Sequence, residues 1–194
     1  TLAKIANFIP GGGIWLNTQR PEWNDANNAL VGYGVSMVTT YYLRRFFVYF
    51  KRLILQNDKN NLSISNEVLY WFQGTLNVLN RHKLSINHKI INPKNRMDLI
   101  KDLGTIYSKY RKQLYNDGFS GKNTINKNDI INYIDISIIF LDHTISLNID
   151  NKKLYHSYNI LKFSKNYTHL DINHLKGLIY DIIRSIRDAD DYKA

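Results

Sequence analysis

Two carboxylates lie close together in a segment that also contains an indole and several amides. Glu22 and Asp25 are three residues apart, with Trp23 between them. A carboxylic acid can protonate a leaving oxygen, a flat aromatic ring can stack on a sugar, and amides can orient hydroxyl groups. Carbohydrate chemistry is therefore the functional interpretation, with Asp25 or Glu22 as the general acid. The candidate substrate-binding residues are Trp23, Trp15, Arg20, Asn24, Asn27, Asn28 and His156.

The same residues also have a purely structural interpretation. Asp25 can be a helix N-cap, Pro21 a turn residue and Trp23 an anchor in the core. Spacing alone favours this interpretation, because carboxylates are common where a helix begins. His156 lies between aromatic residues in Leu154-Tyr155-His156-Ser157-Tyr158-Asn159, so a packed aromatic strand competes with a place in a sugar pocket.

Long helices are predicted to position this segment. Residues 1–26 contain Pro10, Pro21 and the glycines Gly11 to Gly13, which is typical of a loop. From Asn27 the apolar residues recur at intervals of three and four, which predicts a helix of about 28 residues. Its main apolar stripe consists of Val31, Val35, Val38, Tyr42, Phe46, Tyr49 and Leu53. Further helices are predicted over about 65–81, 95–115, 127–147 and 173–187.

Five helices without strong strand periodicity predict an all-α fold of packed helical hairpins. Residues 154–159 are predicted as a short strand or ordered loop. The composition gives no sign of a second domain, so 1–194 is treated as one domain, with a catalytic-type loop over 1–26 and helical hairpins over 27–194.

The run from Arg20 to Gly32 (RPEWNDANNALVG) resembles the catalytic-loop region of (α/α)6-toroid enzymes that act on glucosidic bonds. It is similar to the cellobiose-phosphorylase-like proteins, which carry a Trp-Asn-Asp loop, and more loosely to glucosidase and glycogen-debranching toroids. It looks closer still to a group of large bacterial proteins with such a toroid. Segments 118–121, 140–144 and 154–159 also resemble that group.

The resemblance implies part of an (α/α)6 toroid from a glycoside hydrolase or glycoside phosphorylase. It assigns the proton-donor role to Asp25 first and Glu22 second. Pro21-Glu22 and Ala26-Asn27 depart from the residues that flank the motif in the phosphorylase-like proteins, which puts phosphorolysis in doubt. A second carboxylate is expected in the rest of a parent chain, and the isolated fragment is expected to be inactive. The alternative is a noncatalytic helical scaffold or carbohydrate-binding module.

Charge and composition limit which partners, compartments and cofactors can be predicted. Most of the net charge of +10 is spread along the chain, so no nucleic-acid partner is predicted. The resemblance implies an oligosaccharide or polysaccharide, together with the remainder of the parent chain, as partner. No apolar run has the length of a membrane span, which predicts a soluble protein without a membrane partner. The absence of cysteine leaves the compartment open, with the cytoplasm slightly favoured. The six histidines lack metal-ligand spacing, and no cofactor or metal is predicted.

Overall fold

The computed structural model describes residues 1–17, 30–86 and 91–174. They form five α-helices and seven β-strands. The helices are α1 (Leu2–Ala6), α2 (Met37–Gln56), α3 (Asn66–His82), α4 (Pro93–Asp117) and α5 (Lys127–Ser146), and a 3-10 turn (Lys83–Ile86) follows α3. The strands are β1 (Phe8–Ile9), β2 (Gly13–Trp15), β3 (Gly34–Ser36), β4 (Asn61–Ser65), β5 (Lys122–Asn126), β6 (Tyr158–Phe163) and β7 (Leu170–His174).

Five of the strands form one antiparallel sheet in the order β1-β2-β3-β6-β7, curled into a half-barrel. β1 and β2 are joined by the turn Pro10 to Gly12, and β3 leads into α2. β4 and β5 form a separate two-stranded ribbon. The large sheet therefore combines the beginning of the chain with its last described residues.

Local signals fix where the main helices begin and end. The Oγ of Ser36 accepts a hydrogen bond from the amide of Thr39, and the Oδ1 atoms of Asn92 and Asn126 cap α4 and α5 in the same way. Pro93 follows Asn92 as the first residue of α4, where a proline costs no hydrogen bond. Gly118, with φ 71°, ends α4, in a backbone conformation that favours glycine.

Two apolar clusters hold the elements together. In the larger cluster α2 packs along α5 and α3 along α4, and Phe8 of the sheet meets Phe140 edge to face at 6.3 Å. The smaller cluster lies between the sheet and α4 and consists of Ile9, Val35, Met97, Leu161 and Leu170. The sheet is therefore part of the core.

The predicted all-α toroid is wrong, because this sheet makes the fold mixed α/β. The helix predicted from Asn27 begins ten residues later, at Met37, since residues 34–36 pair with β2 and β6. Gly32 has φ 90°, which a right-handed helix cannot contain. The helix predicted from Asn173 meets β7, which continues to His174, and its remainder lies outside the described residues.

The main apolar stripe predicted for this helix does not face the core. Tyr42, Phe46, Tyr49 and Leu53 are exposed, whereas Leu43 and Phe47 are buried. A different face of α2 meets the core, with the buried residues Met37, Thr40, Leu43, Phe47 and Ile54. No helix of the described ranges is long and apolar enough to cross a bilayer.

Candidate functional site

Trp15 is the predicted substrate-binding residue that the structure places most fully. It ends β2, where its amide donates to the carbonyl of Asn7 over 2.8 Å and its backbone pairs with Val35. Its indole is half-buried, and Nε1 donates a hydrogen bond of 3.0 Å to the carbonyl of Gly32. Trp15 is therefore fixed by hydrogen bonds to Asn7, before the predicted catalytic segment, and to Gly32, after it.

The described residues that precede and follow that segment in sequence are hydrogen-bonded to each other. The amide of Leu16 donates to the carbonyl of Gly34 over 2.9 Å, and the amide of Gly32 donates back to Leu16 over 2.7 Å. Both candidate acids and most of the predicted substrate-binding residues lie outside the described residues: Glu22, Asp25, Arg20, Trp23, Asn24, Asn27 and Asn28. Their roles remain predictions, but the two ends from which they extend are fixed next to Trp15.

A cleft of about 220 Å³ opens beside Trp15, between the start of the chain and α4. Its polar lining consists of Asn7, Asn17, Tyr107, Ser108 and Arg111, and its apolar lining of Ala6, Ile9, Trp15, Ile100 and Gly104. This volume lies below the roughly 300–1,000 Å³ of pockets that enclose drug-sized ligands. The cleft therefore suits a single small ring with polar substituents.

The amides in the cleft are already arranged by the protein. Asn17 donates from Nδ2 to Oδ1 of Asn7 over 2.6 Å, and Asn7 donates from Nδ2 to the carbonyl of Ala3 over 2.8 Å. Each amide has further hydrogen-bonding capacity for hydroxyl groups of a ligand. Ser108, exposed on α4, adds a hydroxyl to the same lining.

Stacked aromatic rings support the α4 side of the cleft. Trp71 stacks on Tyr107 and Tyr110, with ring centroids 4.9 and 4.4 Å apart. The guanidinium of Arg111 lies over the rings of Tyr107 and Tyr115, 5.7 and 5.5 Å from their centroids. Because these contacts orient Arg111, its positive charge is presented to the cleft at little entropic cost.

Beneath the sheet, buried polar side chains hold the turn that joins β1 to β2. Asn148 donates from Nδ2 to the carbonyls of Gly11 and Thr144, over 2.9 and 2.8 Å. Asn159 donates from Nδ2 to the carbonyl of Gly12 and to Oδ1 of Asn148, both over 2.8 Å. Every one of these bonds is buried, so the network fixes the hairpin that carries Trp15.

Arg96 and Gly13 complete the support of this hairpin. Arg96 is buried and donates to the carbonyls of Pro10 and Leu170, and this burial lowers the pKa of its guanidinium from the ordinary value. Gly13 has φ 123°, and a Cβ there would lie 2.8 Å from the carbonyl oxygen of Ser36. Gly13, predicted as part of a loop, is therefore required by its backbone conformation and by close packing.

His156 does not line the Trp15 cleft. Its amide donates to the carbonyl of Asn148 over 3.0 Å, and its carbonyl accepts from the Oη of Tyr41 over 2.9 Å. Tyr41 also meets Tyr155 edge to face at 5.1 Å, and desolvation raises the pKa of Tyr41 to about 12. The backbone of His156 is therefore joined to Tyr41, the partner ring of Tyr155, and the proposed role of His156 in sugar binding stays a prediction.

Glu67 is a buried carboxylate that the sequence analysis did not single out. Its Oε1 accepts hydrogen bonds from the Oγ and the amide of Ser120, over 2.5 and 2.8 Å, and these bonds lower the pKa of Glu67 from its ordinary value. An ionised carboxylate of this kind ties the loop after α4 to the start of α3. The only sequence signal was its place in the first turn of a helix, which is too common to indicate burial.

Comparison with known proteins adds no family assignment. No protein-family model matches the chain, and no curated protein matches it. Within the part of the chain that the structure describes, no three histidine or carboxylate side chains come together as metal ligands.

Proposed function

We propose that this chain binds a sugar ring in the Trp15 cleft, as part of a protein that cleaves or transfers glucosyl-type bonds by general acid catalysis. The observation that carries the proposal is the cleft itself, in which an indole, a tyrosine and two asparagine amides converge. Saccharides combine apolar ring faces with many hydroxyl groups, so this lining matches their chemistry. The ligand is a mono- or oligosaccharide with its terminal ring against Trp15.

The catalytic part of the proposal rests on the segment that leaves the cleft at Asn17. Asp25 is the proposed proton donor, and Glu22 is the alternative. A partner carboxylate would complete the reaction, about 6.5–9.5 Å from the acid in an inverting mechanism and about 5–5.5 Å in a retaining one. The fold does not support a toroid, so the assignment is supported by the sequence motif and by its position in the chain directly after Asn17, which lines the cleft.

Calorimetric titration with glucose oligosaccharides tests the binding step. We expect the Trp15→Ala variant to bind more weakly than the unsubstituted chain. Tyr42→Ala, which removes an exposed aromatic ring of α2 outside the cleft, is expected to retain binding. If the unsubstituted chain and Trp15→Ala bind the oligosaccharide with equal affinity, the proposed site is contradicted.

Turnover tests the catalytic step. We expect Asp25→Asn in the intact protein to reduce hydrolysis or phosphorolysis of glucosides by about 100-fold or more, the size of a general acid contribution. Glu22→Gln is the matched variant. If both variants keep full activity, the proton donor lies elsewhere.

A noncatalytic carbohydrate-binding role is the second candidate. One observation favours it: among the described residues, no carboxylate lines the Trp15 cleft. Oligosaccharide binding without turnover by the intact protein, unchanged in Asp25→Asn, would establish this second role.

A further inference from the structure

The outer side of α4 carries a second depression that joins the Trp15 cleft. It is shallow, has a volume of about 470 Å³, and is lined by Lys101, Gly104, Thr105, Ser108, Lys109 and Lys112. Gly104 and Ser108 line both depressions, so the two are continuous across the helix. We call the combined feature the α4 groove.

Gly104 keeps this connection open. It lies inside α4, where glycine costs about 1 kcal/mol relative to alanine. A Cβ built there would meet nothing within 4 Å, and the residue needs no positive φ. Neither helix geometry nor packing within the described residues explains the glycine, whereas a ligand that crosses the helix at close range does.

The charge lining the α4 groove has a single sign. Lys101, Lys109 and Lys112 line the outer depression, and Arg111 lines the Trp15 cleft. No carboxylate lines either part among the described residues, and none of these four cations is in an ion pair there. Three unpaired lysines in the outer depression, with Arg111 at the Trp15 cleft, create a positive potential that attracts anions.

We infer that the α4 groove binds an acidic oligosaccharide, with one ring against Trp15 and carboxylate or sulfate groups of the following rings against Lys101, Lys109 and Lys112. This inference rests on the proposed function, and it adds the charge and the direction of the ligand. A sugar is favoured over a nucleic acid because the cleft at the end of the groove is small and lined by amides. Tyr107, which lines the cleft, stacks on Trp71, so that face of its ring is not open to a base.

The test compares two ligands that differ only at C6 of each ring, where one carries a carboxylate and the other a neutral hydroxymethyl group. Oligosaccharides of 1,4-linked glucuronic acid and of 1,4-linked glucose, matched in length and each in α- and β-linked form, are titrated into the chain by calorimetry. We expect the acidic ligand to bind about tenfold more tightly at low salt, and this advantage to shrink as salt screens the lysines.

Two triple variants locate the effect. Lys101→Gln, Lys109→Gln and Lys112→Gln together are expected to abolish the advantage of the acidic ligand while leaving neutral binding unchanged. Lys59→Gln, Lys122→Gln and Lys152→Gln together remove the same charge from exposed positions outside the groove and are expected to keep the advantage. Gly104→Gln is expected to weaken binding of the acidic oligomer more than binding of glucuronic acid itself.

The outcomes separate the inference from the proposed function. Equal affinity for acidic and neutral oligomers would overturn the inference and leave the saccharide site intact. Absence of binding to all the sugars would overturn both. Tighter binding of single-stranded DNA of equal charge, lost in the groove triple variant, would identify a nucleic-acid site and overturn the inference as well.

Discussion

The indole Nε1 of Trp15 donates a hydrogen bond to the carbonyl of Gly32, 17 residues further along the chain. This bond joins the strand before the predicted catalytic segment to the turn after it. The indole has no other N–H donor, so hydrogen bonds to a ligand must come from Asn7, Asn17 and Ser108. Trp15 therefore has two functions that substitution can separate, ring stacking and closure of the segment.

Trp15→Phe and Trp15→Ala separate these functions. Phenylalanine keeps an aromatic ring but cannot donate to Gly32, whereas alanine removes both contributions. We expect Trp15→Ala to weaken sugar binding by roughly three- to tenfold, the value of an aromatic contact, and Trp15→Phe to weaken it less. Titration of both variants with the same oligosaccharide measures the difference, and an equal loss in both would assign the effect to the lost hydrogen bond.

Long helices could be predicted from the sequence because their pattern repeats over many turns. The helices predicted over 65–81, 95–115 and 127–147 agree with α3, α4 and α5 within about two residues. The apolar faces of these helices are wide enough to outweigh single exceptions. In α2 the pattern was misleading, because aromatic residues occupy the exposed face as well as the buried one.

The sheet could not be predicted because its first three strands are too short for a repeating pattern. β1, β2 and β3 have two or three residues each, too few for alternation to appear. Val31, Val35 and Val38 continued a helical spacing across β3, so the strand was assigned to a helix. The network of Arg96, Asn148 and Asn159 joins residues far apart in sequence, and no local pattern indicates such contacts. The cleft depends on that network, so only its Trp15 was predicted.

Asn148 is expected to be the most sensitive polar residue of this network. It is completely buried and bonds to Gly11, Thr144 and Asn159, so Asn148→Ala would leave at least one buried carbonyl without a donor. We expect a loss of unfolding free energy on the order of 2–3 kcal/mol. Urea denaturation measures it, with the exposed Asn151→Ala as control. A loss no larger than that of the control would contradict the structural role of the network.

Glu67 is expected to make stability depend on pH. Its pKa is lowered in the folded protein by hydrogen bonds from Ser120, so its contribution is present above the ordinary value of 4.5 and is lost as pH falls through the folded value. We expect Glu67→Gln to lower the Tm at neutral pH, and the difference from the unsubstituted chain to shrink towards pH ~3. Asp58→Asn, at an exposed position, serves as control. If the difference in Tm between Glu67→Gln and the unsubstituted chain does not change with pH, the stabilisation does not come from the charge of Glu67.

Gly104→Ala is expected to stabilise the protein. The added methyl group meets no atom within 4 Å and removes the conformational cost of glycine inside α4. The expected gain in unfolding free energy is about 1 kcal/mol by urea denaturation. Gly74→Ala is the contrasting variant, since its Cβ would lie 2.8 Å from the side chain of Ile106 and should bring no such gain. A loss of stability in Gly104→Ala would show that the backbone there is not an ordinary helix.

Phe46 and Phe47 test which face of α2 is buried. Phe47 is fully buried and meets Tyr133 at 5.7 Å, whereas Phe46 is 45% exposed and stacks on Phe50 at 5.6 Å. Phe47→Ala should therefore cost about 3–5 kcal/mol of unfolding free energy, and Phe46→Ala less than about 1 kcal/mol. The stripe predicted from sequence spacing requires the reverse order, because it places Phe46 in the core. Denaturation of the two variants under identical conditions distinguishes the two arrangements, and a larger loss for Phe46→Ala would mean that another surface covers this face of α2.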